Sequence, residues 1–347
     1  MNKPKLEIKL AFITGLRDVV LNEISQYSNL HVTKEGRDLI YGDFIYLDFV
    51  GDFAKLAGLR SVLRVYIVAQ DPKYNPRYIS NHKSILGNIL AMIIEGKKNK
   101  FKTFKIICAG SDSPNIRSIA DYIQKTYGLT EKEEADMKMH IIKTGRTWEI
   151  GVQITPRPLS LRGYKIKHMS GAMDPTIAYA MNSLCGLDKA DSYLNIFSGS
   201  ATLLIEAGQC FPNLKRLVGF DRDKKTISLA IQNIRRARLI RRIELKEKNI
   251  FDKPDLGKFD VITSDLPFGM AIAKYEDLEK LYRSFIGYCQ ETLNHGGRMA
   301  VYTSEHEMFQ IIILKTKFRI IKTLNLKFLT SVNAYLRPKI FVCRFKK

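Results

Sequence analysis

The stretch YLNIFSGSATLLIEAG, residues 193–208, is where the reading of the fold turns. Tyr193, Leu194 and Ile196 read as a buried strand. Phe197, Ser198, Gly199, Ser200 and Ala201 follow as a turn of mostly small residues, and a helix starts after them. Small residues let backbone N–H groups approach a ligand, and a helix start favours a negative group. One such turn alone is more often a plain strand-to-helix connection, so its surroundings must decide.

Downstream, the strand-like runs SYLNIF, RLVGFD, IELKEKNI, FDVITSD and GRMAVYTS alternate with helical patterns. The helices read as ATLLIEAGQC, KKTISLAIQNIRRARL, YEDLEKLYRSFIGYCQETL and EHEMFQIIILKT. Nearly continuous apolar strands alternating with helices predict an α/β fold with a mostly parallel sheet covered on both faces. FRIIKTLNLKFL and YLRPKIFVCRF are expected to close it as an antiparallel hairpin. Upstream, DPTIAYAMNSLCG reads as a helix capped by Asp174, with Pro175 in its first turn. The connector before it holds Arg157, Arg162, Tyr164, Lys165 and Lys167. Residues 1–60 read as strand, helix, strand, helix, and 61–155 as three strands and two helices.

In a doubly wound sheet, ligands bind at the carboxyl ends of the strands. The second strand here ends at Asp221, 22 residues past Gly199, where an acidic side chain grips ribose hydroxyls in nucleotide sites. Asp223 reads as the cap of the following helix. The third strand ends at Asn249, whose amide suits an adenine edge. The fourth ends in TSDLPFG, residues 263–269. A carboxylate at the end of a buried strand is costly unless something binds it. Pro267 fixes its own φ and restrains Leu266. Asp265 and the Leu266 carbonyl then make two acceptors beside the Phe268 ring, which suits an exocyclic amine on a nucleobase.

The chain has 347 residues, 45% of them apolar, enough for two or three globular domains. Its formal charge is +21 and its pI about 9.7, which points to a polyanionic partner. The excess is uneven. Residues 1–155 hold 23 Lys and Arg against 17 Asp and Glu, a net +6; residues 156–347 hold 33 against 18, a net +15. Two basic runs stand out: Arg157 to Lys167, and Arg235, Arg236, Arg238, Arg241 and Arg242. Either suits phosphates, and the second equally suits a solvated helix end. Cys108, Cys185, Cys210, Cys289 and Cys343 form no C-x-x-C pair, so neither a zinc site nor a disulfide framework is expected, and no metal. Free thiols, no signal-like N-terminus and no apolar run of spanning length lead to the expectation of a cytoplasmic protein with no membrane partner.

These residues resemble a known family. From about 155 to 345 the chain is similar to class I S-adenosylmethionine-dependent methyltransferases that act on base amino groups, and most to the THUMP-domain tRNA guanine-N2 methyltransferases. LSLRGYK (159–165) is similar to their Arg-Gly-Tyr-Arg segment, NIFSGSATLLIEA (195–207) to their DPxCGSGTxxIEA loop, and SDLPFG (264–269) to their catalytic D/N-x-P-Y/F motif. A Leu inside that motif resembles the enzymes acting on a guanine at position 6 of the tRNA acceptor stem. The resemblance implies an N-terminal ferredoxin-like domain (1–60), a THUMP RNA-binding domain (61–155), a linker (156–172) and a Rossmann-like methyltransferase domain (173–347) with a seven-stranded sheet. It implies S-adenosyl-L-methionine held by Asn195, Phe197, Ser198, Gly199, Ser200, Ala201, Thr202, Asp221, Arg222, Asn249, Ile250 and Asp265. It implies methyl transfer to guanine N2 in tRNA by Asp265, Leu266, Pro267 and Phe268, with base flipping. Nothing in the sequence indicates an activator protein, and a monomer is expected. Three positions depart from the family: Asn195 and Asn249 stand where it has Asp, and Ala201 where it has Gly. They leave open a silent RNA-binding relative, as RNA shape leaves open a guanine-N2 enzyme for ribosomal RNA or another tRNA site. A dinucleotide dehydrogenase is disfavoured because the turn lacks G-x-G-x-x-G.

Overall fold

The computed structural model describes residues 5–27, 30–38, 42–49, 53–71, 74–96, 101–144, 147–155, 157–167, 169, 171–267, 275–331 and 334–346. The chain forms two compact units, one of Met1–Phe12 and Val20–Leu159, the other of Ile13–Val19 and Ser160–Lys347. Among the described residues no helix is long and apolar enough to cross a membrane.

The elements up to residue 153 are β1 (Lys5–Phe12), α1 (Arg17–Ile24), β2 (Leu30–Asp38), β3 (Gly42–Phe49), α2 (Phe53–Leu56), β4 (Arg64–Asp71), α3 (Ile79–Gly96), β5 (Thr103–Ile107), α4 (Pro114–Tyr127), β6 (Thr130–Glu131), β7 (Met137–Thr144) and β8 (Thr147–Gln153). The strands make one eight-stranded sheet in the order β2-β3-β1-β4-β8-β7-β5-β6. β1 pairs with β4, so the segments 1–60 and 61–155 share that sheet. Three strands go beyond the sequence reading: β2, β7 and the two-residue β6. β2 is polar and largely exposed, so it shows no apolar alternation and exists through its pairing with β3. β7 does alternate, with Met137, Met139 and Ile141 buried, but it follows a charged run that reads as a loop. α2 is a single turn.

On this sheet Lys9 and Glu149 form a buried ion pair at 2.9 Å, and the Tyr46 hydroxyl donates to the other Glu149 oxygen at 2.5 Å. Lys9 also lies over the Phe44 ring, 4.4 Å from its centroid. Lys9 and Glu149 are only 9% and 1% exposed, so each charge depends on the other.

The second unit contains α5 (Pro175–Leu184), β9 (Ser192–Ile196), α6 (Thr202–Cys210), β10 (Arg216–Asp221), α7 (Lys224–Arg236), β11 (Ile243–Glu247), β12 (Phe259–Asp265), α8 (Tyr275–Thr292), β13 (Leu293–Thr303), α9 (His306–Ile313), β14 (Phe318–Asn325), β15 (Phe328–Ser331), β16 (Ala334–Leu336) and β17 (Lys339–Phe345). Seven strands form one sheet in the order β11-β10-β9-β12-β13-β17-β14. The first five are parallel, and β17 pairs antiparallel with both β13 and β14. The closing hairpin therefore inserts its second strand between β13 and its first, and β15 and β16 form a separate two-stranded ribbon at its end. One face of the sheet packs Leu194, Ile196, Val218, Ile262 and Met299 against Tyr282 and Phe285 of α8 and Phe309 of α9. On the other face, Asn182 of α5 accepts from the Tyr193 hydroxyl at 3.0 Å and donates to the Leu203 carbonyl at 3.0 Å. α6 can approach because residue 219 is glycine: a Cβ there would sit 2.4 Å from Leu204 Cδ1 and 2.5 Å from Ser198 Oγ.

Lys9→Met strands the Glu149 charge and should cost about 3–5 kcal/mol of stability. The double variant Lys9→Met/Glu149→Leu should cost much less. Urea denaturation of the two variants measures both.

Candidate active site

β9 is hydrogen-bonded to β10 on one side and to β12 on the other, so the strand order reverses there. The ends of β9, β10 and β12 meet at that point. Ser198 N–H donates to the Phe220 carbonyl at 3.0 Å, and Ser264 Oγ donates to the Ile196 carbonyl at 2.9 Å. Over them lies a cleft of about 260 Å³. Its walls are the turn after β9, Asp221 from β10, Asp265 at the end of β12 with Leu266 and Pro267 after it, and connector residues including Met169 and Met173.

The turn is held in an unusual shape. Phe197, Gly199 and Ala201 have φ of 56°, 51° and 63°, in the left-handed region that non-glycine residues avoid. Ser198 Oγ donates to the Asn195 and Phe220 carbonyls at 3.0 and 3.1 Å, and the Phe197 ring packs 6.1 Å from that of Phe285. Gly199 N–H donates to Asp221 Oδ2 at 3.0 Å, while Asp221 Oδ1 accepts from Asp223 N–H at 3.2 Å. Asp221 thus tethers the turn and still faces the cleft. Ala201 takes the backbone shape for which glycine is the usual choice, at a cost of roughly 1–2 kcal/mol.

Asn195 is fully buried, and its amide donates to the Thr263 carbonyl at 3.1 Å and, more weakly, to the Ile196 carbonyl at 3.4 Å. An ionised Asp would place an oxygen against those carbonyls, so the amide fits this strand pairing. Among the described residues its Oδ1 has no partner. Asn249 accepts from Phe251 N–H at 3.2 Å and caps a short 3-10 turn. The cleft walls do not include Asn249, Ile250, which is buried, or Arg222, which is exposed. Phe268 lies outside the described residues.

Asp265 ends β12 at the cleft. Burial pushes its carboxyl up to about 7, against the pull of the Lys165 ammonium. Its turn is rigid. Leu266 N–H donates to the Tyr302 carbonyl at 3.0 Å, and the Tyr282 hydroxyl donates to the Pro267 carbonyl at 3.0 Å. Among the described residues the Leu266 carbonyl meets no donor.

The connector departs from the sequence reading. Arg162 and Lys165 read as candidates to track phosphates, but they turn inward, as does Tyr164 beside them. Arg162 Nε and the Tyr164 hydroxyl both donate to Glu206 Oε1, at 3.1 and 2.8 Å, and the Arg162 side chain is 8% exposed. A buried carboxylate on α6 needs those donors. Lys165 Nζ donates to the Met173 carbonyl at 2.9 Å, and its burial lowers its pKa against the pull of Asp174, Asp265 and Glu206. Arg242 also turns inward, donating to the carbonyls of Gly208, Pro212 and Leu214 at the end of α6. Arg157, Lys167, Arg235, Arg236, Arg238 and Arg241 are exposed.

Sequence reasoning missed Asn233. This buried side chain on α7 accepts from Lys167 N–H at 3.0 Å and donates to the Lys167 and Ser200 carbonyls, both at 3.3 Å. It fastens the connector to the turn. A polar residue interrupting the apolar stripe of α7 was the available signal.

This arrangement has known counterparts. Residues 162–332 match the RMKL-like methyltransferase domain family (UPF0020). The tRNA (guanine(6)-N2)-methyltransferase of Thermus thermophilus is 27% identical over 197 residues, covering 55% of this chain and 57% of that protein. The U6 snRNA (guanine-N(2))-methyltransferase THUMPD2 of Bos taurus is 30% identical over 157 residues, covering 45% of this chain and 30% of that protein. The chain thus spans less than two thirds of either relative. The crystal structure of TrmN from Thermus thermophilus is similar over 98% of this chain and all of that one, with a TM-score of 0.74 at 19% identity. The second unit has the Rossmann-like methyltransferase fold.

Two tests follow. Asn233→Ala removes three hydrogen bonds from a buried site and should destabilise the domain by about 2–3 kcal/mol, with faster tryptic cleavage between 157 and 167. Asp265 has a raised folded pKa. Its stabilising protonated state is complete below the ordinary carboxylate value and is lost as pH rises through about 7. Asp265→Asn should therefore become more stable than the unaltered protein as pH rises from 4 to 7, by on the order of 2–4 kcal/mol above pH 7. Urea denaturation across that range measures the difference.

Proposed function

We propose that this protein transfers a methyl group from S-adenosyl-L-methionine to the exocyclic N2 of a guanine in tRNA, at position 6 of the acceptor stem. The observation that carries the reading is Asp265, a carboxylate at the mouth of the cleft on a turn locked by Pro267 and Tyr282, facing the turn after β9. The relatives named above, two of them guanine-N2 methyltransferases by name, support it.

The cleft residues suit the cofactor. Gly199 leaves a cradle beside the Met169 methyl, which an added Cβ would meet at 3.1 Å. Asp221 offers a carboxylate for ribose hydroxyls, and Ser200 and Thr202 offer N–H groups at the start of α6, while those of Ser198, Gly199 and Ala201 are already engaged beside the turn. Asn249 contributes less than an Asp, because its oxygen already caps a turn. When bound, S-adenosyl-L-methionine supplies an electrophilic methyl group on a sulfonium.

The chain's own residues act on the base. The N2 lone pair of guanine is delocalised into the ring and is a weak nucleophile. The Asp265 carboxylate and the Leu266 carbonyl accept the two N2–H bonds, aim the nitrogen and raise its electron density. Asp265 then stabilises the positive charge that develops on nitrogen and takes the proton released. Lys165 acts at one remove, holding Asp265 closer to its ionised state. A guanine in a stem must leave the helix to reach the cleft, so the reading includes base flipping. The first unit, read as a ferredoxin-like and THUMP pair, holds the tRNA in this scheme.

Labelled S-adenosyl-L-methionine and unmodified tRNA transcripts, followed by nucleoside analysis, test the proposal. N2-methylguanosine is the expected product. Asp265→Ala should lower turnover roughly 100-fold or more while tRNA still binds. Turnover should rise with pH through about 7 as Asp265 ionises, and Lys165→Met should move that rise to higher pH. No transfer, together with no binding of S-adenosyl-L-methionine, would favour a silent RNA-binding relative instead.

A further inference from the structure

The two basic runs lie far apart in the sequence, but the structure joins what remains exposed of them. The Asn233 side chain holds the backbone of Lys167, and Arg236 Nε reaches the Gly163 carbonyl at 3.5 Å. The exposed Lys167, Arg235, Arg236, Arg238 and Arg241 therefore occupy one side of the methyltransferase domain. The same Asn233 amide touches the Ser200 carbonyl, so this side borders the cleft.

Among the described residues no carboxylate pairs with these arginines. Residues 233–243 contain five Arg and no Asp or Glu. Among the described residues, Arg235, Arg238 and Arg241 have no ion pair or hydrogen bond from their side chains. Glu244, the next carboxylate along the chain, pairs with Lys246 at 3.0 Å. The helix dipole accounts for Arg235 and Arg236, which fall in the last turn of α7, but its field fades beyond that turn. Arg238 and Arg241 lie past it.

Arg238 is the informative residue. α7 ends with Leu239 N–H donating to the Ile234 carbonyl and Arg238 N–H to the Arg235 carbonyl, both at 3.0 Å. This closing turn places its penultimate residue in the left-handed region, where glycine is usual. Arg238 sits there with φ of 61°. Among the described residues its exposed side chain makes no hydrogen bond or ion pair that would offset that strain.

We propose that Arg235, Arg236, Arg238 and Arg241, with Lys167, form the face on which the RNA sugar-phosphate backbone lies while the target base enters the cleft. The proposal rests on the RNA-directed activity put forward above. It also separates the inward-facing Arg162, Lys165 and Arg242, which hold the fold, from the exposed residues, which meet the RNA. Guanidinium groups suit phosphates through paired hydrogen bonds, and these contacts carry no base specificity.

Arg235→Gln/Arg238→Gln/Arg241→Gln in the full chain tests the surface by fluorescence anisotropy against an unmodified tRNA transcript and an unrelated RNA hairpin, over a range of KCl concentrations. The plot of log Kd against log salt should become shallower by about 2, and Kd at 0.1 M KCl should rise roughly 10-fold or more, on both RNAs. Binding of S-adenosyl-L-methionine should stay unchanged. An unchanged slope and affinity would overturn the surface, and capture of an acidic protein in place of RNA would overturn its assignment to RNA. Arg238→Gly provides a second arm. It should raise the melting midpoint by about 2–4 °C while weakening RNA binding. A higher midpoint with full RNA affinity would remove Arg238 from the surface. If the unaltered protein makes no N2-methylguanosine yet the triple variant still loses salt-dependent binding, the reaction fails and the surface stands.

Discussion

The parallel pairing of β9 with β12 is the contact on which the candidate site depends. Thr263 lies opposite Asn195, and Ser264 opposite Ile196. Each pairing is backed by a side chain, the Asn195 amide on the Thr263 carbonyl and the Ser264 hydroxyl on the Ile196 carbonyl. The register sets Asp265 beside the turn that begins at Phe197. A shift of one residue would turn the carboxylate to the other face of the sheet. The chemistry proposed for Asp265 and the strained turn at 197–201 are therefore two outcomes of one strand register.

That register also changes the meaning of the departures from the family pattern. An Asn in place of a motif Asp looks like a loss when the motif is read as a string. In the structure the Asn195 amide donates to carbonyls of two strands, which an ionised Asp cannot do. Ala201 keeps the left-handed shape of the glycine it replaces, so the turn survives with added strain. Asn249 lies outside the cleft walls, and its oxygen is engaged in a cap. The three changes act on different parts of the site and do not add up to a uniform weakening.

The positive charge divides in the same way. Inward-facing cations such as Lys9, Arg162 and Arg242 serve as fasteners, each meeting a carboxylate or carbonyl of another element. Removing such a cation leaves its partner unpaired and is costly, whereas an exposed arginine contributes little to folding. Composition counts both kinds alike. Only burial separates the charges that hold the chain together from those free to meet a polyanion.

The sequence by itself determined the order and type of the elements in the second unit and the chemistry at its strand ends. Apolar periodicity, the small residues at 198–201 and the proline at 267 are local signals, and backbone sterics translate them into strand, turn and helix without knowledge of partners. It also identified Asp221 and Asp265, because carboxylates at the ends of buried strands are visible in one dimension. The exposed strand β2 escaped it, since its pairing with β3 supplies what its own residues lack. Only the tertiary structure decided which strand ends meet, that Asn233 and Glu206 fasten the connector, and which arginines stay exposed. Those outcomes depend on contacts between residues 42 to 68 positions apart, such as Tyr164 with Glu206 and Ser264 with Ile196, whose geometry no local pattern contains.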